Sequence, residues 1–521
     1  MRKVINSEAQ RTASDGFSLP APIGGWNARD SLAMMPPTDA IYLDNLYPST
    51  TSVDIRKGKL LYATLGVGLE VKSLLNCAKQ DGTSKRFAVA EDGVYDVTAG
   101  GTIGAAEHVL TNAKVESVNI NVAGINYLWC CNGVDKSFVY KSDSDTFIDL
   151  DGASTPVLTG ITSTDVSNVH LWQNRIILCK KNSLAFYYMP LNSVGGAATA
   201  FDLGQIFTLG GYLVATADWS IDAGNGPQNR FVAITSEGEV AIYSGTDPSS
   251  ATAFLLVGVY QLGRPLGKRC VLDLPGDIAV LTESGIWPLT KVMATATLDR
   301  RAALSDKIQK AYNSYAQTYG MDFGWQPILH GKASALLINV PITESISYQF
   351  VMNLLNKSWC RFTNWSATCF MVSEGELYYA MGNRVFTAWT GKTDNAASIV
   401  GLVKQAFTYG PSRQRSKHIK LVRPILTAED SITVQMGLDT DFENAQTISS
   451  STNFSQTISI WDQAVFDSAY WSAGSLTIKN WKTVAHSPGK AFSFRMRLSV
   501  RGIEVTWPAT DFIMEPGSLF G

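Results

Sequence analysis

Short apolar runs rich in β-branched and aromatic residues recur along the chain, and each is broken by a tight polar turn. Phe231-Val232-Ala233-Ile234-Thr235 turns at Ser236-Glu237-Gly238 into Glu239-Val240-Ala241-Ile242-Tyr243. Ile278-Ala279-Val280-Leu281-Thr282 repeats the formula through Glu283-Ser284-Gly285 into Ile286-Trp287-Pro288. The same grammar returns at Glu91-Asp92-Gly93, at Asn132-Gly133 and at Gln173-Asn174. Two such runs joined through a residue that tolerates positive φ make a β-hairpin. A sheet built from one hairpin unit cannot bury both faces alone, so successive units must stack. This pattern predicts a mainly β protein: a β-propeller built from successive hairpins. The units share no dipeptide signature, so the pattern leaves the number of blades open.

Other stretches depart from that formula. Residues 298–316 hold helix formers, with Leu304, Ile308, Ala311 and Tyr315 spaced along one face, and predict one inserted helix. Ala40 to Tyr47 predicts about two helical turns, capped by Thr38 or Asp39. Phe492, Phe494, Met496, Leu498 and Val500 alternate with Ser493, Arg495, Arg497 and Ser499, a strand with one buried face and one wet or partner-facing one. The resulting division is an N-terminal arm and turn-rich docking segment over 1–60, a propeller over 61–397, and a C-terminal β-sandwich-like domain over 398–521. Within the first segment, residues 1–20 have little periodicity and read either as a frayed tail or, because they carry Val4, Ile5, Phe17 and Leu19, as an arm that orders against a neighbouring subunit.

Charge narrows the function. The formal net charge is −2 and only 17% of residues are charged, whereas a protein that grips nucleic acid through its phosphates is normally strongly basic. Two local exceptions are Arg300, Arg301, Lys307 and Lys310 along the expected helix, and Arg413, Arg415 and Lys417 in the chain's densest basic run. These are the candidate DNA-facing or subunit-contact groups, against the plainer reading of solvated faces. The seven cysteines are scattered through apolar strands without a Cys-x-x-Cys pair, which predicts buried free thiols suited to a reducing cytoplasm. No stretch reads as a signal peptide or a membrane span.

Catalytic signatures are missing from the pattern. No nucleophile elbow, phosphate-binding loop or zinc-binding helix motif occurs, and the chain is expected to be neither an enzyme nor a holder of cofactor or metal. Asp143, Asp145, Asp149 and Asp151 cluster, yet an exposed loop explains them as well as paired catalytic carboxylates or a calcium loop. Asp30, Asp39 and Asp44 read as capping and turn residues. His170, His330 and His418 have no nucleophile beside them in sequence.

Four blocks carry a resemblance. Residues 22–58 ("PIGGWNARDSLAMMPPTDAIYLDNLYPSTTSVDIRKG"), the stretch Trp219 to Thr290 with "ITSEGEVAIYSGTDP", "VGVYQLGRPLGKR" and "GDIAVLTESGIWPL", residues 350–370, and "GKAFSFRMRLSVRGIEVTWPATDFIMEPGSL" follow in order along the chain. Together they resemble the nozzle, or tail tubular, structural proteins of short-tailed bacteriophages (the packaged-DNA stabilisation type). That resemblance implies a virion tail protein, made in the host cytoplasm, that forms a homo-hexameric ring below the head-to-tail adaptor ring and portal. It implies that the ring extends and gates the DNA ejection channel, contacts double-stranded DNA without reading its sequence, offers attachment sites for fibres or spikes, and meets the host envelope during infection. The alternative from another class is a receptor-binding or glycan-degrading tail protein, for which a groove lined by aromatics and two carboxylates is expected.

Overall fold

The computed structural model describes residues 15–66, 68–222, 227–294, 299–443, 450–454, 476–478, 480–484 and 486–517. The chain packs into two compact units, one of residues 59–354 with 362–390, the other of the described residues up to 58 with 355–361 and those from 391 onward. Both are built of β-strands.

The larger unit is a β-propeller. Its first four full sheets are antiparallel meanders. Ser73–Ala78, Ser84–Ala90, Gly93–Asp96 and His108–Val109 make the first, and Glu116–Val122, Ile125–Cys131, Phe138–Lys141 and Thr146–Asp149 the second. Val166–Trp172, Arg175–Lys180, Ala185–Tyr188 and Thr199–Asp202 make the third; Leu213–Asp222, Pro227–Thr235, Glu239–Gly245 and Phe254–Gln261 make the fourth. Val271–Leu274, Asp277–Thr282 and Gly285–Pro288 form the fifth blade, Gln326–His330, Ala335–Thr343 and Ile346–Asn353 the sixth. The seventh joins Cys369–Ser373, Glu376–Met381 and Arg384–Ala388 to Lys59–Leu65, a strand from the far end of the unit's sequence. The leading strand of each sheet packs on the next sheet, and Cys369–Ser373 packs back on Ser73–Ala78, so the seven sheets form a ring.

Apolar faces between neighbouring sheets hold the ring. Leu75, Phe87, Leu128 and Tyr140 fill the seam between blades one and two, and Trp129, Val139, Ile176 and Leu178 the next. Trp172, Phe186, Phe231 and Phe254 fill the seam between blades three and four. Ala63 and Leu65 of the closing strand share one cluster with Tyr95 of blade one and Met371 and Val385 of blade seven. The turn formula read from the sequence recurs in bonding: buried Thr235 donates across its turn to the Glu239 carbonyl (3.1 Å), and buried Thr282 to that of Gly285 (2.9 Å). Gly238 ends the first of these turns at φ +84°, where an added Cβ would stand 2.2 Å from the Gly263 carbonyl oxygen, so no other residue fits there without backbone movement.

The inserted helix is shorter and later than expected. It runs Gln309–Tyr319, preceded by 3-10 turns at Arg300–Ala302 and Asp306–Ile308, and Leu298 lies outside the described residues. The cause is a competing partner: the Leu304 N–H bonds to the Ile286 carbonyl (2.9 Å), and the Ser305 hydroxyl accepts from the Ile286 N–H (3.2 Å). These bonds pin the segment to the edge of blade five and forbid a continuous helix. The buried face is consequently Ile308, Tyr312 and Ala316, with the Tyr312 hydroxyl donating to the Thr282 carbonyl at 2.7 Å. A second, six-residue helix follows blade five at Leu289–Ala294.

The smaller unit stacks two sheets. One carries Gly25–Trp26, Asp39–Asp44, Ile399–Gln405, Phe492–Val500, Ile432–Thr440 and Ser450–Phe454; the other Leu46–Pro48, Val53–Ile55, Val505–Pro516, Lys417–Ala428 and Leu476–Ile478. Phe494 of the first meets Trp507 and Phe512 of the second, each at 6.0 Å between ring centroids. The expected segment 1–60 and the expected domain 398–521 share this unit, and residues 15–20 form a strand along Val505–Pro516 that places Phe17 5.1 Å from the Phe512 ring. The rest of the expected arm, 1–14, lies outside the described residues.

Two expectations fail here. Residues 40–47 are not helical: Asp39–Asp44 is a strand paired with Ile399–Gln405, and Asn45, at φ +56°, turns the chain into Leu46–Pro48. Sheet partners distant in sequence override a weak local helix preference. The polar face of Phe492–Val500 is not uniformly wet either. Ser493 and Arg495 are buried, and Arg495 Nε lies 3.1 Å from Asp439, whose other carboxylate oxygen is 2.7 Å from Lys404. Arg497 and Ser499 are exposed as expected.

Candidate functional site

Two features of the propeller stand out as built sites, and both lie where the chain leads into the first strands of the blades. In the lead-in to blade five, Lys268 and Arg269 reach across to other blades. Arg269 donates from Nε to Glu116 (3.0 Å) and from Nη2 to the Ser73 hydroxyl (2.7 Å) and the Val115 carbonyl (3.0 Å), linking blades one and two. The Lys268 ammonium donates to the Ser167 carbonyl of blade three at 3.1 Å. A single segment bonded to three blades other than its own must span the middle of the ring. The ring's own axis is therefore bridged on that side by a charged brace.

Beside the brace lies a cleft of about 530 Å³. It is walled by the lead-ins to blades one, two, six and seven and by the turn at Thr343 to Ile346. Its rim is the loop Gly320 to Gly324, which presents Met321 fully exposed and Phe323 more than a third exposed. Buried bonds hold that loop: Asn339 donates to the carbonyls of Gly324 (2.8 Å) and Ala367 (2.9 Å), and Trp325 Nε1 to the Tyr319 carbonyl (2.8 Å). The Phe323 ring is flanked by Lys114 at 4.8 Å and Arg269 at 5.4 Å, a cation–π arrangement that ties rim to brace. Three carboxylates, Glu70, Asp322 and Glu344, line the cleft. Burial pushes the Glu70 carboxyl above its ordinary range; Lys72 opposes that shift and Glu344 adds to it.

The expected basic groups are dispersed. Arg300 lies in a 3-10 turn, Arg301 and Lys310 are exposed, and Lys307 is half-buried. Arg413 and Arg415 are exposed, with the Arg413 guanidinium 4.5 Å from the Tyr409 ring centroid. Lys417 is a correction. It is buried at the start of its strand, where its ammonium donates to the carbonyls of Arg415 (2.9 Å) and Lys490 (2.7 Å), and burial pulls its pKa down. Its place in a paired strand turns it inward, so it faces neither DNA nor a solvent loop.

The aspartates of residues 143–151 take separate partners: Asp143 lies 3.1 Å from Lys141, Asp149 3.2 Å from His108, and Asp151 2.8 Å from Lys136. Asp145 accepts from Tyr140 and from Lys79. Hydrogen bonds from Lys141, Tyr140 and Lys136 hold Asp143, Asp145 and Asp151, respectively, below the usual carboxylate range, the opposite of what a general acid needs. Asp30 and Asp39 accept from Asn27 (2.8 Å each), and Asp44 takes a bidentate bond from Arg361. All seven cysteines are free and buried. Among the described residues no group of three or more His, Cys, Asp or Glu is placed to hold a metal ion.

Sequence reasoning passed over both the brace and the cleft. Lys268 and Arg269 stand inside one of the resembling blocks, and Glu70, Asp322 and Glu344 are spread over hundreds of positions; nothing local marks them.

No protein-family model matches the chain, and no curated protein matches it. Among solved structures it is similar to two crystals described as BBS1N in complex with ARL6DN. The one soaked with mercury is 12% identical, with a TM-score of 0.40 over 64% of this chain and 96% of that one. The one soaked with lead is 13% identical, with a TM-score of 0.38 over 64% and 97%.

Proposed function

We propose that the chain is a virion structural protein that forms the tail nozzle of a short-tailed phage, extending and gating the DNA ejection channel and offering attachment sites for fibres or spikes. The observation that carries this reading is the order of the four resembling blocks, which recur from residue 22 to the last strand of the chain. The role is mechanical rather than enzymatic. Six copies surround the conduit, beneath the adaptor ring, and duplex DNA passes between them. The brace of Lys268 and Arg269 supports a conduit formed between subunits, since it bridges the propeller's own axis. Near-neutral net charge supports a sliding passage, because many phosphate contacts would retard DNA. Exposed Arg301, Lys310, Arg413 and Arg415 remain the candidate DNA-facing or subunit-contact groups.

Subunit contact has its own support. Residues 248–263 contain no Asp, Glu, Lys or Arg. In the outer strand of blade four that they include, Leu255, Leu256, Val257 and Val259 are exposed, a surface suited to burial between obligate partners. Native mass measurement of the purified protein, alone and with an adaptor complex, tests the reading: six copies on the adaptor are expected. A stable monomer that ignores the adaptor, or copies placed away from the particle's axis, refutes it.

A further inference from the structure

The long strand Lys417–Ala428 of the smaller unit is paired on one side with Val505–Pro516 and covered on the other by residues 476–478, 480–484 and 486–489. The cover runs antiparallel to it. Leu426 to Ala428 pair with Leu476–Ile478, Val422 exchanges two backbone bonds with Lys482 (2.8 and 2.9 Å), and Lys417 exchanges two with Gly489 (2.8 and 3.1 Å). Between the last two contacts a side chain carries the ladder. The Ile419 N–H donates to Nε2 of His486 at 3.0 Å, so the imidazole stands where a strand carbonyl would. The other ring nitrogen, Nδ1, lies 3.2 Å from the Val484 carbonyl. A ring that accepts at Nε2 and donates at Nδ1 is the neutral one, and no other protonation state makes both bonds.

We propose that His486 is an acid-released clasp: the neutral imidazole holds the cover along Lys417–Ala428, and its protonation frees the cover and bares the strand's edge. A second proton turns Nε2 into a donor, set against the Ile419 N–H with no lone pair to offer. The groups around the ring oppose that charge. His418 stands 5.0 Å away between ring centroids, and Lys420 follows on the same strand. Glu515, across the ladder from His418, is engaged with Lys420 at 3.1 Å. Arg423, 4.4 Å from the Trp481 ring, is bonded to Asp511, and Asp441 accepts from the N–H groups of Lys490 and Ala491 beyond Gly489. Lys417 turns inward to the carbonyls of Arg415 and Lys490. Burial holds the His486 pKa below its ordinary 6.5; His418 and Lys420 add to that shift, and the Val484 carbonyl opposes it. Because the folded-state value is the lower one, the clasp contributes fully above about pH 6.5 and is lost as pH falls through the depressed value. What it frees is the edge of a twelve-residue strand, a surface on which a strand of another chain can pair.

Amide hydrogen exchange of the full-length protein, read by mass spectrometry at about pH 7.5 and about pH 5, provides the test. Once intrinsic exchange rates are divided out, protection of residues 417–422 should fall at the lower pH, by up to about tenfold for each unit by which the ring's pKa is depressed. Phe492–Val500, in the other sheet, should keep its protection. His486→Gln puts an acceptor oxygen near the place of Nε2 without a titrating proton, so it should keep 417–422 protected at both pH values, whereas His486→Ala should leave them open at both. In the unaltered protein, deuterium exchange at the imidazole carbon of His486 should titrate with a midpoint below about 6.5. Protection of 417–422 that ignores pH, an acid loss that persists unchanged in His486→Gln, or a His486 midpoint at or above about 6.5 overturns the proposal.

Discussion

At the scale of single residues, the decisive groups are polar ones inside the protein. Arg56 is wholly buried and forks onto Asp394, with Nη1 to Oδ1 at 2.8 Å and Nη2 to Oδ2 at 2.7 Å, while its Nε bonds to Asn45 at 2.8 Å. Removing one partner strands the other charge away from water, so Arg56→Met is expected to cost about 3–5 kcal/mol in denaturant unfolding, and the double variant Arg56→Met with Asp394→Leu to recover part of it. A single variant as stable as the parent would show the pair to be dispensable. His170, in the leading strand of blade three, is held by burial down to about 4 from an ordinary 6.5, and its Nε2 has no hydrogen-bond partner among the described residues. Because the folded-state pKa is the lower one, the neutral ring contributes stability that is fully present above about pH 6.5 and lost as pH falls toward 4. His170→Asn should flatten that acid limb of the stability profile, by roughly 2–3 kcal/mol at pH 4; an unchanged slope would assign acid sensitivity elsewhere.

At the scale of elements, the hairpins obey local rules, and the joints between them do not. Gly238 and Gly285 were legible as turn residues because only positive φ fits there, and Thr235 and Thr282 repeat the same turn bond. The strand Lys59–Leu65 shows the other regime. Nothing within it announces that it completes blade seven, a sheet whose other strands begin at Cys369. Ala63, buried in that strand opposite Val385, is where the closure can be tested. Proline there removes a ladder N–H and crowds the seam, so Ala63→Pro should destabilise by about 3 kcal/mol or more, and hydrogen exchange should quicken in blades one and seven together. Exchange confined to residues near 63 would mean that the ring does not depend on this latch. The shortened helix teaches the same point: Leu304 and Ser305 are good enough helix residues locally, but a bond to Ile286 outbids the next helical turn.

At the scale of the whole molecule, a ring of stacked sheets trades local for long-range contacts. The four seams from blade seven round to blade four are apolar on both sides, so these blades stabilise one another pairwise, and closure covers the apolar sheet face that an open stack would leave at each end. The outer strand of blade four keeps an exposed apolar strip, and the cleft gathers three carboxylates and two lysines.

The sequence by itself determined the β class, the hairpin grammar, the alternating strand Phe492–Val500 and the burial of the cysteines, because each depends on residues adjacent in the chain: a turn needs its glycine, and a strand its period of two. Only the tertiary structure decided the count of seven blades, the closing role of Lys59–Leu65, the inward turn of Lys417, the brace at Arg269 and the gathering of Glu70, Asp322 and Glu344. Those features join positions far apart in sequence, and which distant groups meet is settled by how the apolar faces pack and by where buried charges find partners.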